Sequence, residues 1–253
     1  MNPFLVALSF LTRIPVPGEG GNFTTNSLSR STIFFPVVGG IIGAVNAGLY
    51  LILKPILPIS VLAVFIVALP IFMTGGIHFD GLLDTCDGLF SGRSRERSLE
   101  IMRDSRVGSM GVIAGILNVM LRYSVLIELP GAVLPVLLIT QAVTGRWVMS
   151  MALHFFSYAR KDGGLGQGFN EGKKIIYITL SSGLALLITL IINGVAGIMI
   201  ALIVGSLSLL IAIWVVGKIG GLTGDVYGAL NEVAENIFLL LWLVGSITFH
   251  LNA

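Results

Sequence analysis

Long apolar stretches dominate this chain, over residues 31–53, 56–73, 109–127, 132–156, 175–192, 195–216 and 234–251. Each approaches or exceeds the ~18–20 residues that a helix needs to cross the hydrocarbon of a bilayer. Together they predict an all-α, polytopic membrane helix bundle of seven transmembrane helices. Residues 4–11 are apolar but too short to span. No basic segment precedes them, and Pro15 and Pro17 end the stretch, so a helix lying in the interface or re-entering it fits better than a cleaved signal peptide. Residues 1–253 read as one integral-membrane domain.

Composition narrows the class. Hydrophobic residues make up 55% of the chain and charged residues 11%, against about 25% charged in ordinary soluble domains. So little polar surface argues against a soluble enzyme, a disordered chain or a nucleic-acid-binding domain. A net charge of +2, from 15 basic and 13 acidic residues, is too balanced for a polyanion-binding surface. Cys86 is the single cysteine, which excludes an intrachain disulfide or a cysteine metal cluster.

The charges fall on one side of the predicted bundle. Arg13, Arg30, Arg93, Arg95, Arg97, Arg103, Arg106, Arg160, Lys161, Lys173, Lys174 and Lys218 lie in segments that share one face, with only Lys54 and Glu128 opposite. Positive residues favour the cytoplasm, so the long loops are expected on the cytoplasmic side of a cell membrane. Most acidic residues share that side, which places any chemistry at the cytoplasmic surface rather than along a path through the bilayer. Arg122 and Arg146 fall inside spans. Arg122 is near the outer end and could snorkel; Arg146 is deeper and calls for a carboxylate, a phosphate or a polar cavity.

Four polar segments carry candidate chemistry. In residues 75–88, Asp80, Asp84 and Asp87 are spaced i, i+4, i+7 and fall within roughly 60° on a helix. Three carboxylates on one stripe repel one another unless a hard cation such as Mg²⁺, or Mn²⁺, lies between them. His78 and Cys86 read as packing or supporting groups. Next, Arg103-Asp104-Ser105-Arg106 precedes a span; its arginines suit phosphate and Asp104 could join the metal ligands. Residues 93–100 read as an ordinary charged interfacial helix. Third, Arg160 and Lys161 precede a glycine-rich stretch that could approach an anion, without P-loop spacing. Fourth, Asp225, Glu232 and Glu235 share a second helical face within about 80°, with Gly228 leaving room for a close neighbour. Two acidic stripes on one side could hold one or two metals jointly; a capping network is the plainer alternative.

These segments resemble the cobalamin synthase family. The resemblance rests on residues 75–88, 100–108 and 224–235, on Leu11-Thr12-Arg13-Ile14-Pro15-Val16-Pro17, on Gly145-Arg146-Trp147 and on Ala159-Arg160-Lys161-Asp162-Gly163, in one order from end to end. It implies an Mg²⁺-requiring membrane enzyme that joins adenosylcobinamide-GDP to α-ribazole, or to α-ribazole 5′-phosphate, with release of GMP. The single domain would then be catalytic, with two small-molecule substrates, a lipid bilayer around it, no nucleic-acid partner and room for homo-oligomerisation. For such a reaction the residues suggest Asp80, Asp84, Asp87, Asp104, Glu232 and Glu235 as metal ligands, and Asp84, Asp225 and Glu232 as catalytic groups. Arg103, Arg106, Arg146, Arg160 and Lys161 would hold phosphate. A phosphotransferase acting on a diphosphate-activated lipid, a divalent-cation transporter and a non-catalytic scaffold are the competing readings.

The predicted sidedness is directly testable. In a Cys86→Ser background, single cysteines placed at Ser94 or Asn170 should be shielded from an impermeant thiol reagent in intact cells. Labelling of both from outside would reverse the orientation.

Overall fold

The computed structural model describes residues 2–16, 24–160 and 165–249. The chain forms α1 (Pro3–Leu11), then α2 (Thr25–Ser31), which passes through a 3₁₀ turn into α3 (Phe35–Leu53). Next come α4 (Ile59–Thr74), α5 (Ile77–Leu89), α6 (Arg95–Ile101), α7 (Ser109–Glu128) and α8 (Leu134–Phe155). The short α9 (Leu165–Glu171) and the long α10 (Ile175–Ile219) and α11 (Gly224–Phe249) complete it. Among the described residues there is no strand; one parallel bridge pairs Tyr158 with Leu222.

By length and apolar character, five helices qualify as spans, or six if the bent pair α4–α5 counts as one. That count falls short of the expected seven: the expected span over residues 56–73 counts only when α4 is joined to α5, and the two expected over 175–192 and 195–216 are counted together in α10. The predicted turn at Asn193–Gly194 is present as a break between two helical halves, with Gly194 at φ 62° and ψ −156°. Trp147 shows how the two halves lie. Its indole N–H donates to Ser182 at 2.9 Å, and its ring would lie 3.3 Å from a Cβ built on Gly205. A straight helix would separate residues 182 and 205 by about 34 Å at 1.5 Å per residue, so α10 doubles back at the glycine.

The central element is α8, buried over almost its whole length. It touches α3, α10 and α11. Lipid offers no hydrophobic force between helices, so close approach of small residues matters. Gly39 and Gly43 supply it: a Cβ on Gly39 would sit 2.3 Å from the Ala142 carbonyl oxygen, and one on Gly43 2.5 Å from the Leu138 oxygen. The outward faces of α7 and α10 instead carry exposed apolar side chains, including Ile113, Leu117, Ile191 and Met199. Such faces suit hydrocarbon rather than water.

The aspartate-bearing segment is helical as expected, and two glycines aim it. Gly75 and Gly76 adopt positive φ (64° and 76°), a conformation that costs glycine little, and α5 leaves α4 at 92°. It then lies across the start of α11 at a crossing with glycine on both sides. A Cβ on Gly81 would sit 2.6 Å from the Asp225 carbonyl oxygen, and one on Gly228 2.9 Å from the His78 Cα. The expected close neighbour of Gly228 is therefore α5 itself.

The α3–α8 contact makes a clean prediction. Gly39→Ala should destabilise the protein by about 1–3 kcal/mol through overpacking, read as a lower unfolding midpoint in detergent. Gly48, on the same helix with nothing within 4 Å of a built Cβ, should tolerate alanine without loss.

Candidate active site

Where α5 crosses α11, the loops after α6 and α8 meet the same end of the bundle and enclose a hollow of about 520 Å³. Its polar wall holds His78, Asp80, Arg103, Arg160 and Asp225, and its apolar wall includes Phe10, Leu153, Phe169 and Tyr227. A second hollow of about 550 Å³ shares Asp80 and adds Arg13 and the Gly75–Gly76 turn. A third, about 390 Å³, shares Arg103 and Arg160 and adds Arg95, Glu96 and Glu100. Three hollows thus adjoin around two acids and two arginines drawn from four distant segments.

Local hydrogen bonds set this arrangement. Arg160 donates to Asp225 Oδ2 at 2.7 Å and to the Met102 carbonyl at 3.4 Å. Thr223 adds a bond of 3.1 Å to the same carboxylate oxygen. The loop bearing Arg160 is pinned by Ala159 N–H to Leu222 O at 2.8 Å and Leu222 N–H to Ser157 O at 2.9 Å. Arg95 closes the end of α10 by donating to the Ile219 carbonyl at 2.7 Å, as a cation at a helix C-terminus does. Asp84, one turn beyond Asp80 and half-buried, feels the charges of Asp80, Asp225, Asp87 and Arg160.

The first and second acidic stripes therefore meet, but only through Asp225. Glu232 and Glu235 lie deeper on α11 and belong to a buried ion network. Arg122 donates to Glu232 Oε2 at 3.1 Å and pairs with Glu235 Oε2 at 3.2 Å. Arg146 pairs with Glu235 Oε1 and places its other terminal nitrogen 3.3 Å from His78 Nδ1. Asn118 donates to Glu232 at 3.1 Å, Asn231 to Glu235 at 3.2 Å, and Asn236 accepts from Arg122 at 2.8 Å. Two glutamates and two arginines make a neutral set, as burial requires.

Several expectations are corrected by these contacts. Glu232 and Glu235 face arginines, so they are not placed as metal ligands, nor Glu232 as a catalytic group at the hollow. Arg146 is the expected deep partner of a carboxylate, but that engagement and its 1% exposure remove it from phosphate binding. Arg122 is 3% exposed and does not snorkel, because three polar partners hold it inside. Asp87 caps α7: its carboxylate accepts from the Gly108 and Gly111 N–H groups, both at 2.7 Å, a favourable place for an anion. Asp104 binds Arg106 in a two-point exposed pair, at 3.0 and 2.7 Å. The Arg106 hydrogen bonds hold the Asp104 carboxyl down at about 2. That pair lies in solvent, away from the hollows. Lys161 lies outside the described residues. Asp80, Asp225, Arg103 and Arg160 are the predicted residues that the fold brings to the hollow, with Asp84 beside them.

Sequence reasoning missed Asn118, Asn231 and Asn236, and the aromatic wall. The signal for the asparagines was present: Asn118 and Arg122 stand at i, i+4 in an apolar span, and polar side chains at that spacing face a bundle interior.

The fold and the site together define the class: an all-helical bundle with helices long and apolar enough to cross a membrane and a cluster of acids and arginines at one end. The family follows from comparison. The cobalamin-5-phosphate synthase model matches residues 3–243, and the chain belongs to that family. It is 38% identical over 249 residues to an adenosylcobinamide-GDP ribazoletransferase of Desulfitobacterium hafniense, covering 95% of this chain and 96% of that one. A protein of the same name from Acetivibrio thermocellus is 38% identical over 238 residues, covering 94% and 96%. A third, from Clostridium novyi, is 36% identical over 243 residues, covering 96% and 97%. No solved structure matches the chain.

The ion network predicts an asymmetry between two arginines. Arg122→Met should cost about 3–5 kcal/mol by stranding a buried carboxylate. Arg106→Ala, at the exposed pair, should leave the unfolding midpoint in detergent unchanged.

Proposed function

We propose that this protein is the membrane-embedded transferase that joins adenosylcobinamide-GDP to α-ribazole or α-ribazole 5′-phosphate and releases GMP. The observation that carries the reading is the convergence of Asp80, Asp225, Arg103 and Arg160 on one hollow, in a chain similar over its whole length to proteins of that name. The reaction transfers a phosphoryl group from a diphosphate to a ribose hydroxyl. Such transfers depend on positioning and on neutralising charge.

The site's acids fit Mg²⁺. Among the described residues no three acidic, histidine or cysteine side chains converge closely enough to hold a metal alone. Magnesium needs no such cage: it keeps waters and phosphate oxygens beside one or two carboxylates, and the donors here are oxygens. Asp80 and Asp84, one turn apart on α5, would hold it. When bound, Mg²⁺ offsets the charge of the diphosphate. Arg160, fixed by Asp225, and Arg103 would orient the phosphoryl oxygens from the same polar wall. Asp225 also borders the hollow and would accept the proton of the attacking hydroxyl. The apolar wall of Phe10, Leu153, Phe169 and Tyr227 suits the flat base of the ribazole and excludes water from its side of the reaction. The neighbouring hollows give a large corrinoid nucleotide room beyond the phosphates.

The sidedness of the basic residues supports a site open to the cytoplasm, and the apolar outer faces support a surrounding bilayer. GMP release from adenosylcobinamide-GDP by the purified protein, with and without α-ribazole, tests the activity. Release only with acceptor and Mg²⁺ is expected; absence of release under all conditions would end this reading. Asp80→Asn and Asp84→Asn should each lower kcat by about 10²-fold or more with the unfolding midpoint retained. A double variant turning over at the wild-type rate would remove the metal assignment.

A further inference from the structure

His78 stands at the junction of the buried ion network and the hollow. It borders the hollow, is 2% exposed, and its backbone is locked against Gly228. Its ring nitrogens have different surroundings. Nδ1 lies 3.3 Å from Arg146 Nη2. Nε2 is buried with no hydrogen-bond partner.

The tautomer follows from chemistry. A guanidinium carries only donors, so the Arg146 contact requires a lone pair on Nδ1. The proton of the neutral ring is then on Nε2, which becomes a donor. Arg146 is itself held by Glu235, and Glu235 by Arg122 and Asn231, so the ring is oriented by groups that α7, α8 and α11 fix in place. A buried N–H without an acceptor is costly and rare in folded proteins. At the edge of a substrate hollow, the economical explanation is an acceptor that arrives with the substrate. Asp80, Arg103, Arg160 and Asp225 border the same hollow, which marks that end as the place for phosphate.

We propose that His78 is a catalytic residue of this protein, donating its Nε2 proton in a hydrogen bond to a phosphoryl oxygen of the bound diphosphate, with Arg146 as the positioning residue that fixes its tautomer. The proposal rests on the transferase reading above. The group acts as a fixed hydrogen-bond donor and transfers no proton. Preset donors aimed at developing negative charge in a dry site give large rate effects, because they need not reorganise during the reaction.

Nitrogen-15 resonance of histidine-labelled protein in nanodiscs tests the donor directly, with the His78 signals assigned by their loss in His78→Gln. Nδ1 should be bare and Nε2 protonated, and GDP with Mg²⁺ should move the Nε2 signal while α-ribazole alone leaves it in place. A proton on Nδ1, an Nε2 signal indifferent to GDP, or one that answers only to α-ribazole would overturn the proposal. In turnover, His78→Phe should lower kcat by about 10²–10³-fold. His78→Gln, which keeps an N–H near the Nε2 position, should recover most of that. Equal loss in two folded variants would reduce His78 to a structural part. The resonance measurement uses the unaltered chain and decides the matter if either variant fails to fold. It also separates the two readings: a protein that binds GDP through His78 yet releases no GMP from adenosylcobinamide-GDP would refute the transferase and not the donor.

Discussion

Two arginines and two glutamates buried among helices in a membrane protein form the constraint on which this structure rests. Arg122, Arg146, Glu232 and Glu235 are each almost fully enclosed, and none is tolerable there alone. Their charges cancel only if α7, α8 and α11 keep one register, since α7 and α8 supply the arginines and α11 both acids. Asn118, Asn231 and Asn236 add hydrogen bonds to Glu232, Glu235 and Arg122, which ties the network into one unit. Sliding α11 by one residue would turn both glutamates by about 100° and break every pair. The network thus fixes the helix that carries Asp225, and through it the geometry of the hollow.

Glycine carries that order to the site. Gly75 and Gly76 turn α5 away from α4, and the Gly81–Gly228 crossing lets α5 lie directly on α11. With side chains at those positions the two helices would stand further apart, and Asp80 and Asp84 would move away from Asp225. Asp87, at the far end of the same stripe, is spent on the first turn of α7. One helix therefore presents Asp80 to the hollow at one end and stabilises a neighbouring helix at the other. His78 links the two regions: its Nδ1 meets the ion network, and the residue borders the hollow.

Much of this protein was legible in its sequence. Apolar stretches of spanning length specify membrane helices, because every backbone group in hydrocarbon must be hydrogen-bonded within its own segment. The crowding of basic loops on one side specifies an orientation, and helical spacing specifies that Asp80, Asp84 and Asp87 share a face. Motif order along the whole chain specified the family. These are local properties, or sums of local properties, and no knowledge of packing is needed to read them.

Which of the acids serve the site was decided only in three dimensions. Asp225, Glu232 and Glu235 look equivalent by periodicity, yet Glu232 lies seven residues further into the bundle than Asp225, about 10 Å at 1.5 Å per residue. At that depth arginines from α7 and α8 meet it, and at the helix start Arg160 and the aspartates of α5 do. The same holds for the basic residues: Arg146 is inside and Arg106 outside, so neither reaches the hollow that Arg103 and Arg160 border. Periodicity sets the face of a helix that a side chain occupies. The depth at which neighbouring helices cross, set by glycine contacts and by the need to neutralise buried charge, sets what that side chain meets.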